Sequence, residues 1–143
     1  MNIEKMKEVF ADEAFVKGLF ELETAAEVQA VLKEKGVELI LVKAPSVYPY
    51  WYDEYDVQIE EYAAKHGLAF YNFLDHVDEM GIDYNTDTYD AGLHLNLQGA
   101  TKLTTFFGQI LAEEHGLADH RTDPAIAEVY NEKLRLYDEE AAK

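Results

Sequence analysis

One short segment holds the residue types needed for acid–base chemistry. Asp90 and His94 lie four residues apart, just ahead of Asn96, which is predicted to cap a helix. An imidazole oriented by a carboxylate acts as the base in acyl transfer, where it takes the proton of a nucleophilic hydroxyl. The chain has a single serine, Ser46, so this residue is the candidate nucleophile. One hypothesis is therefore a weak esterase that uses Ser46, His94 and Asp90.

The favoured interpretation of the same residues is structural. Ser46 is not flanked by the glycines of a nucleophile elbow, the strained turn that exposes a serine for attack. Without a nucleophile, His94 becomes a loop histidine that bonds to Asp90 or to the backbone and orders the turn. We therefore expect little or no ester hydrolysis from the isolated chain.

The elements that must position these residues predict an α/β fold. Two short apolar runs, 37–42 and 68–71, are typical of parallel strands, and residues 53–66 between them have the pattern of a helix. Parallel strands place their carboxyl ends at one edge of the sheet, where α/β active sites gather. Ser46 follows the first strand, and the polar loop 81–93 is expected to reach the same edge. The predicted sheet is small, with two or three strands.

Helices are predicted to cover this sheet and to precede it. A long helix is expected from Asn96 to about His115, and a last one from about Pro124 to Glu140. Residues 1–36 read as a helical N-terminal segment, and residues 37–143 as the α/β domain. Within this domain, after the first predicted strand, residues 47–52 form an aromatic segment with two open interpretations: packing over a sheet edge, or a platform for a ligand.

The segment 88–103 resembles the last motif block of SGNH/GDSL-type hydrolases. It carries the pattern Asp-x-x-x-His-x-Asn-x-x-Gly-Ala-x-Lys, whereas the usual spacing in that family is Asp-x-x-His. Residues 36–46 resemble a central strand of the same family with the loop that leaves it, and residues 116–124 resemble its C-terminal tail. The resemblance implies that about 25–143 is the C-terminal half of such a domain, a truncated α/β/α layer whose triad Asp and His are Asp90 and His94.

The N-terminal half of that family has no counterpart in this sequence. There is no Gly-Asp-Ser block to carry a nucleophile and no Gly-x-Asn-Asp block to supply an oxyanion donor. Instead, residues 1–39 resemble the N-terminal domain of Nif-type leader peptides, through Asp12-Glu-Ala-Phe15 and the run from Leu22 to Val28. The two resemblances overlap around residues 25–39. They imply a fusion or recombinant of two pieces, natural or designed.

Composition limits the classes of partner. The 143 residues carry 29 acidic and 12 basic side chains, a formal net charge of −17, which argues against binding nucleic acid. Zero cysteines exclude disulfides and thiolate metal sites, and no cofactor or metal is predicted. The start has no apolar signal region and no membrane-spanning run follows, so a cytoplasmic location is expected. Two kinds of partner fit these features, a basic protein or a second copy that completes the sheet, and the sequence identifies neither.

Three functional hypotheses follow. The first is an SGNH-like fragment or chimera that keeps the Asp/His loop and is catalytically silent. The second is the weak esterase that uses Ser46, His94 and Asp90. The third is an acidic binding module, similar to an inhibitor or antitoxin, that uses the fold as a scaffold.

Overall fold

The computed structural model describes residues 25–48 and 50–141. Within them lie two strands and five helices. In chain order these are α1 (Ala25–Glu34), β1 (Ile40–Lys43), α2 (Asp53–His66), β2 (Ala69–Asn72), α3 (Val77–Met80), α4 (Leu97–Glu113) and α5 (Pro124–Ala141). The predicted α/β class is confirmed, with a small parallel sheet of two strands in the described part of the chain.

The two strands pair in parallel, with Ile40 opposite Ala69 and Lys43 opposite Asn72. β1 begins three residues later than the predicted start at 37, because Val37 is used to close α1. Its N–H donates to Leu32 O at 2.9 Å, and Gly36 before it takes a φ of 66°, the left-handed conformation that ends a helix. The apolar pattern from residue 37 onward does not show where α1 ends and β1 begins.

Helix α2 connects the strands and occupies the predicted range 53–66. Gly67 ends it at φ 65°, and the N–H of Leu68 donates to Ala63 O at 2.9 Å. Ala63 is the buried residue of this helix. Gly67 therefore turns the chain directly from α2 into β2, and the glycine at this junction predicted the boundary correctly.

The core gathers around Phe73, which directly follows β2 and is fully buried. Its ring packs against Phe107 with centroids 5.2 Å apart and against Phe106 at 6.1 Å. Met80 and Ile82 are also buried. This aromatic cluster packs the chain just after β2 against the first half of α4, next to the Asp-rich loop between α3 and α4.

The chain divides into two compact units, residues 1–107 and 108–143, so the division falls inside α4. The predicted boundary after Gly36 lies elsewhere and stays a prediction. The predicted helices within 3–20 also stay predictions, because residues 1–24 lie outside the described part. In the second unit, α5 begins at Pro124 as predicted, and Asp123 Oδ1 accepts the N–H of Ala125 at 3.1 Å. None of the helices described is both long and apolar enough to cross a membrane.

Candidate functional site: the Asp90–His94 loop

The loop from residue 88 to residue 95 folds back on itself, so that Asp90 and His94 meet. Thr88 and Leu95 form an isolated antiparallel bridge, and the N–H of Tyr89 donates to His94 O at 3.0 Å. Asp90 Oδ1 accepts the N–H of His94 at 2.7 Å, while its Oδ2 lies 2.6 Å from His94 Nδ1. The contact that the sequence predicts between Asp90 and His94 is therefore present.

The backbone between Asp90 and His94 is left-handed at two positions. Ala91 has a φ of 57° and Gly92 a φ of 109°. This winding also lets Asp90 Oδ1 accept the N–H of Leu93 at 3.1 Å. One carboxylate thus fixes two backbone groups and a ring nitrogen, and the spacing of four residues still delivers a paired imidazole.

The pairing determines which ring nitrogen of His94 is available. Hydrogen bonds from the His94 ring and from the His94 N–H hold the pKa of Asp90 below its ordinary value, so the carboxylate is ionised at neutral pH. An ionised carboxylate only accepts hydrogen bonds, so Nδ1 carries the proton. Neutral imidazole then presents the lone pair of Nε2. No hydrogen bond to Nε2 occurs among the described residues, and the His94 side chain is 70% exposed.

A second carboxylate, Asp87, holds the base of the loop from inside the protein. Its side chain is 1% exposed, and its Oδ2 accepts the N–H of Asp83 at 2.8 Å and the ammonium of Lys102 at 2.6 Å. Lys102 also donates to Gly81 O at 2.6 Å. The hydrogen bond from Lys102, followed by that from the Asp83 N–H, keeps the pKa of Asp87 below its ordinary value. This network joins the segment from Gly81 to Asp87, which leads into the loop, to α4.

The start of α4 is built onto the same loop through Asn96 and Gly99. Asn96 Oδ1 accepts the N–H groups of Gln98 and Gly99 at 3.0 and 3.1 Å, which confirms the predicted cap. Its amide donates to Thr86 O at 2.7 Å. A Cβ added at Gly99 would lie 2.4 Å from Asp87 O, so only glycine allows this close approach. Asn96, Gly99 and Lys102 therefore hold the segment that leads into the Asp90–His94 loop against the start of α4.

The loop lies against the chain that leaves β1, as the sequence predicts. The N–H of Val47 donates to Gly92 O at 2.7 Å. A Cβ at Gly92 would meet Val47 Cγ2 at 1.8 Å, so the two segments touch where only glycine fits. Val47 lies four residues beyond the last residue of β1, and the Asp90–His94 pair is therefore on the side of the sheet where the strands end.

Ser46, the predicted nucleophile, has a different partner. Its Oγ accepts a hydrogen bond from Lys43 Nζ at 2.8 Å, and Lys43 also donates to Ala44 O at 2.6 Å. Among the described residues no hydrogen bond joins Ser46 to His94. The structure thus brings two of the three predicted site residues together, and the triad of Ser46, His94 and Asp90 stays a prediction.

A cavity of about 440 Å³ opens beside Lys43. Its walls are mainly apolar, and they come from β1, β2, α2 and the aromatic segment. The residues are Leu41, Val42, Lys43, Trp51, Gln58, Ile59, Tyr62 and Phe70. Lys43 Nζ lies 5.1 Å from the centre of the Trp51 ring, close enough for a cation–π interaction. Trp51 is half-buried, whereas Tyr48, Tyr50 and Tyr52 are exposed.

The residues that sequence reasoning missed are Asp87, Lys102 and Lys43. Asp87 is one of several acids in a polar loop, and nothing in its spacing distinguishes it as the buried one. Lys102 had a usable signal: it lies three residues after Gly99 on the first turns of α4, where a lysine side chain can reach back to the preceding loop. Lys43 is the charged last residue of the otherwise apolar strand β1, and its charge is the signal that could have identified it.

Comparison of the chain with protein-family models, with curated proteins and with solved structures returns no match.

Proposed function

We propose that the chain carries the base of an SGNH-like ester-hydrolase site, the Asp90–His94 pair, and that it lacks the nucleophile needed for turnover. The supporting observation is the pair itself: Nδ1 is held by an ionised carboxylate at 2.6 Å, and the ring that carries Nε2 is 70% exposed. This is the arrangement by which a carboxylate orients an imidazole that accepts a proton from a substrate or hydroxyl.

The absence of a nucleophile and of oxyanion donors beside the Asp90–His94 pair determines how much activity is expected. Acyl transfer requires a nucleophile, a base and donors prepared for the oxyanion, and His94 with Asp90 supplies the base and its orienter. Removing the nucleophile of a serine hydrolase costs on the order of 10⁶ in rate, and one oxyanion donor is worth ~10²–10³. An isolated base of this kind hydrolyses an activated ester about as fast as imidazole in solution.

Two measurements on the purified chain test the proposal. Diethyl pyrocarbonate acylates neutral imidazole nitrogens, so peptide mapping should show His94 as the histidine that reacts first, with slower reaction in Asp90→Asn. Turnover of 4-nitrophenyl acetate should match free imidazole at the same concentration and should be unchanged in Ser46→Ala. His66 is the internal reference for modification, because its ring stacks on Tyr62 with centroids 4.3 Å apart.

The outcomes separate the proposal from its alternative. Slow modification of His94 would contradict an available base. Turnover far above the imidazole rate, abolished by both His94→Ala and Ser46→Ala, would establish Ser46, His94 and Asp90 as a working triad and overturn the proposal of a silent site.

A further inference from the structure

Ser46 and Lys43 form a second pair of side chains that could take part in a reaction, separate from the Asp90–His94 loop. Lys43 is the last residue of β1, and three residues later the chain has turned so that Ser46 Oγ lies 2.8 Å from Lys43 Nζ. The turn passes through Pro45, which is buried and fixes the backbone there. The distance lies within the range over which a base takes the proton of a nucleophile.

Lys43 has an environment suited to a base. Its side chain is half-buried and passes over the Trp51 ring, and Ala44 O takes one of its hydrogen bonds. Burial lowers the pKa of Lys43 from its ordinary value of 10.5, although the charge of Asp56 acts in the opposite direction. A partly desolvated lysine beside a serine is the arrangement by which Ser–Lys hydrolases dispense with histidine.

The cavity beside Lys43 indicates the kind of substrate. Lys43 belongs both to the pair and to the cavity wall, so a carbonyl near Ser46 can place its substituent among Leu41, Trp51 and Ile59. These walls are apolar, and a volume of about 440 Å³ is large enough for a short acyl chain or an aryl group.

We propose that Ser46, with Lys43 as its base, accepts an apolar acyl group from an activated ester. Ser46 Oγ bonds to the carbonyl carbon, its proton passes to Lys43 Nζ, and the bond between that carbon and the aryl oxygen breaks. The aryl oxide leaves with the electron pair and needs no proton. The acyl-serine is an alkyl ester with a poorer leaving group than the aryl ester, so it hydrolyses more slowly than it forms and accumulates.

The probe is 4-nitrophenyl hexanoate, mixed with the full chain at a small molar excess. We expect a burst of about one nitrophenolate per chain and one hexanoyl group on Ser46 by intact mass and peptide mapping, consistent with single acylation. 4-Nitrophenyl acetate, whose acyl group is too short to cover the apolar walls, should acylate at least ten-fold more slowly. The acylation rate should rise with pH and level off below pH 10.5, because the reacting form holds Lys43 as the neutral amine.

The variants assign the roles. Ser46→Ala removes the burst. Lys43→Arg keeps a cation that can donate to Ser46 Oγ but cannot accept a proton, so it should slow acylation at least 100-fold. Circular dichroism and thermal melting establish whether each variant is folded, and Lys43→Met serves as a second test if the arginine disturbs β1. His94→Ala should leave the burst unchanged, which separates this proposal from that for the Asp90–His94 loop.

Four results would overturn the proposal. These are the absence of an adduct, an adduct on Lys43 Nζ instead of Ser46, full acylation in Lys43→Arg, and loss of acylation in His94→Ala. The last result would transfer Ser46 to the Asp90–His94 pair. The first three would leave the proposed base at His94 untouched, because none of them concerns its ring.

Discussion

Asp87 and Asp90 both lie between α3 and α4, and each has a side-chain nitrogen 2.6 Å from its Oδ2. The two carboxylates differ in their exposure to solvent. Asp87 is 1% exposed and is bound by Lys102, whereas Asp90 is 39% exposed and is bound by His94. Asp87 also accepts the N–H of Asp83 and is packed against Gly99. Asp90 fixes the turn that carries His94 and leaves the outer side of the ring in solvent.

The difference shows which pair holds the loop and which is available for chemistry. Asp87 is buried whereas the Lys102 side chain is 38% exposed, so breaking this pair costs mainly the hydrogen bonds of the buried carboxylate. An exposed pair contributes little to stability because water replaces its partners. We therefore expect the Asp87–Lys102 pair to determine whether the loop forms, and the Asp90–His94 pair to determine the state of the imidazole.

Asp87→Asn should give the largest effect on stability. An amide at this position cannot compensate the Lys102 ammonium, and the acceptor for the Asp83 N–H is weakened. The thermal midpoint should fall by roughly 5–10 °C. Asp90→Asn is the matched control, because it makes the same change three residues away at an exposed carboxylate, and its midpoint should stay within about 1 °C of the wild type. Equal shifts in the two variants would contradict the assignment of the structural role to Asp87.

Gly99→Ala should destabilise the protein next most strongly. The added Cβ would lie 2.4 Å from Asp87 O, which is backbone and cannot give way as a side chain end would. Overpacking of this kind costs about 1–3 kcal/mol in the free energy of unfolding by urea.

Gly108→Ala in the same helix is the control for that substitution. A Cβ there meets nothing within 4 Å, so the change relieves the entropic cost of a helical glycine and should stabilise by about 0.5–1 kcal/mol. The opposite signs of two identical substitutions in α4 are the result that the close approach at Gly99 predicts. Stabilisation by both would show that α4 does not pack closely on Asp87.

Acid should narrow the difference in stability between wild type and Asp87→Asn. The folded-state pKa of Asp87 lies below its ordinary value of 3.8, so the stabilisation it provides is complete above that value and is lost as the pH falls through the folded-state pKa. Wild type should therefore lose stability below about pH 4, and the gap between wild type and Asp87→Asn should narrow there. Urea unfolding between pH 2.5 and pH 6 measures this gap. A gap that stays constant with pH would contradict a depressed pKa at Asp87.

The sequence predicted those parts of the fold that depend on local pattern. Helix α2 between the two strands, the Asn96 cap and the start of α5 at Pro124 follow from periodicity, capping and the fixed φ of proline, and all three are present. The start of β1 was wrong by three residues, because Val37 is apolar and the pattern does not reveal that its N–H closes α1. Local pattern places elements well, and it places their junctions less well.

The candidate site was predictable only where its residues are neighbours in the chain. Asp90 and His94 are four residues apart, so their contact follows from the turn between them. Lys102 and Asp87 are 15 residues apart, and their pairing depends on how α4 packs on the loop. Ser46 pairs with Lys43 at a separation of three residues, but the contact depends on the turn through Pro45, which strand periodicity does not predict.

The most direct test of the account is the tautomer of His94, measured by long-range ¹H–¹⁵N correlation of the imidazole nitrogens at a pH where the ring is neutral. We predict a proton on Nδ1 and a bare Nε2 in the wild type, and a shift toward protonated Nε2 in Asp90→Asn, with the midpoint of thermal unfolding unchanged. A wild-type ring that carries its proton on Nε2, or a tautomer that does not respond to Asp90→Asn, would contradict the claim that Asp90 holds His94 as an available base.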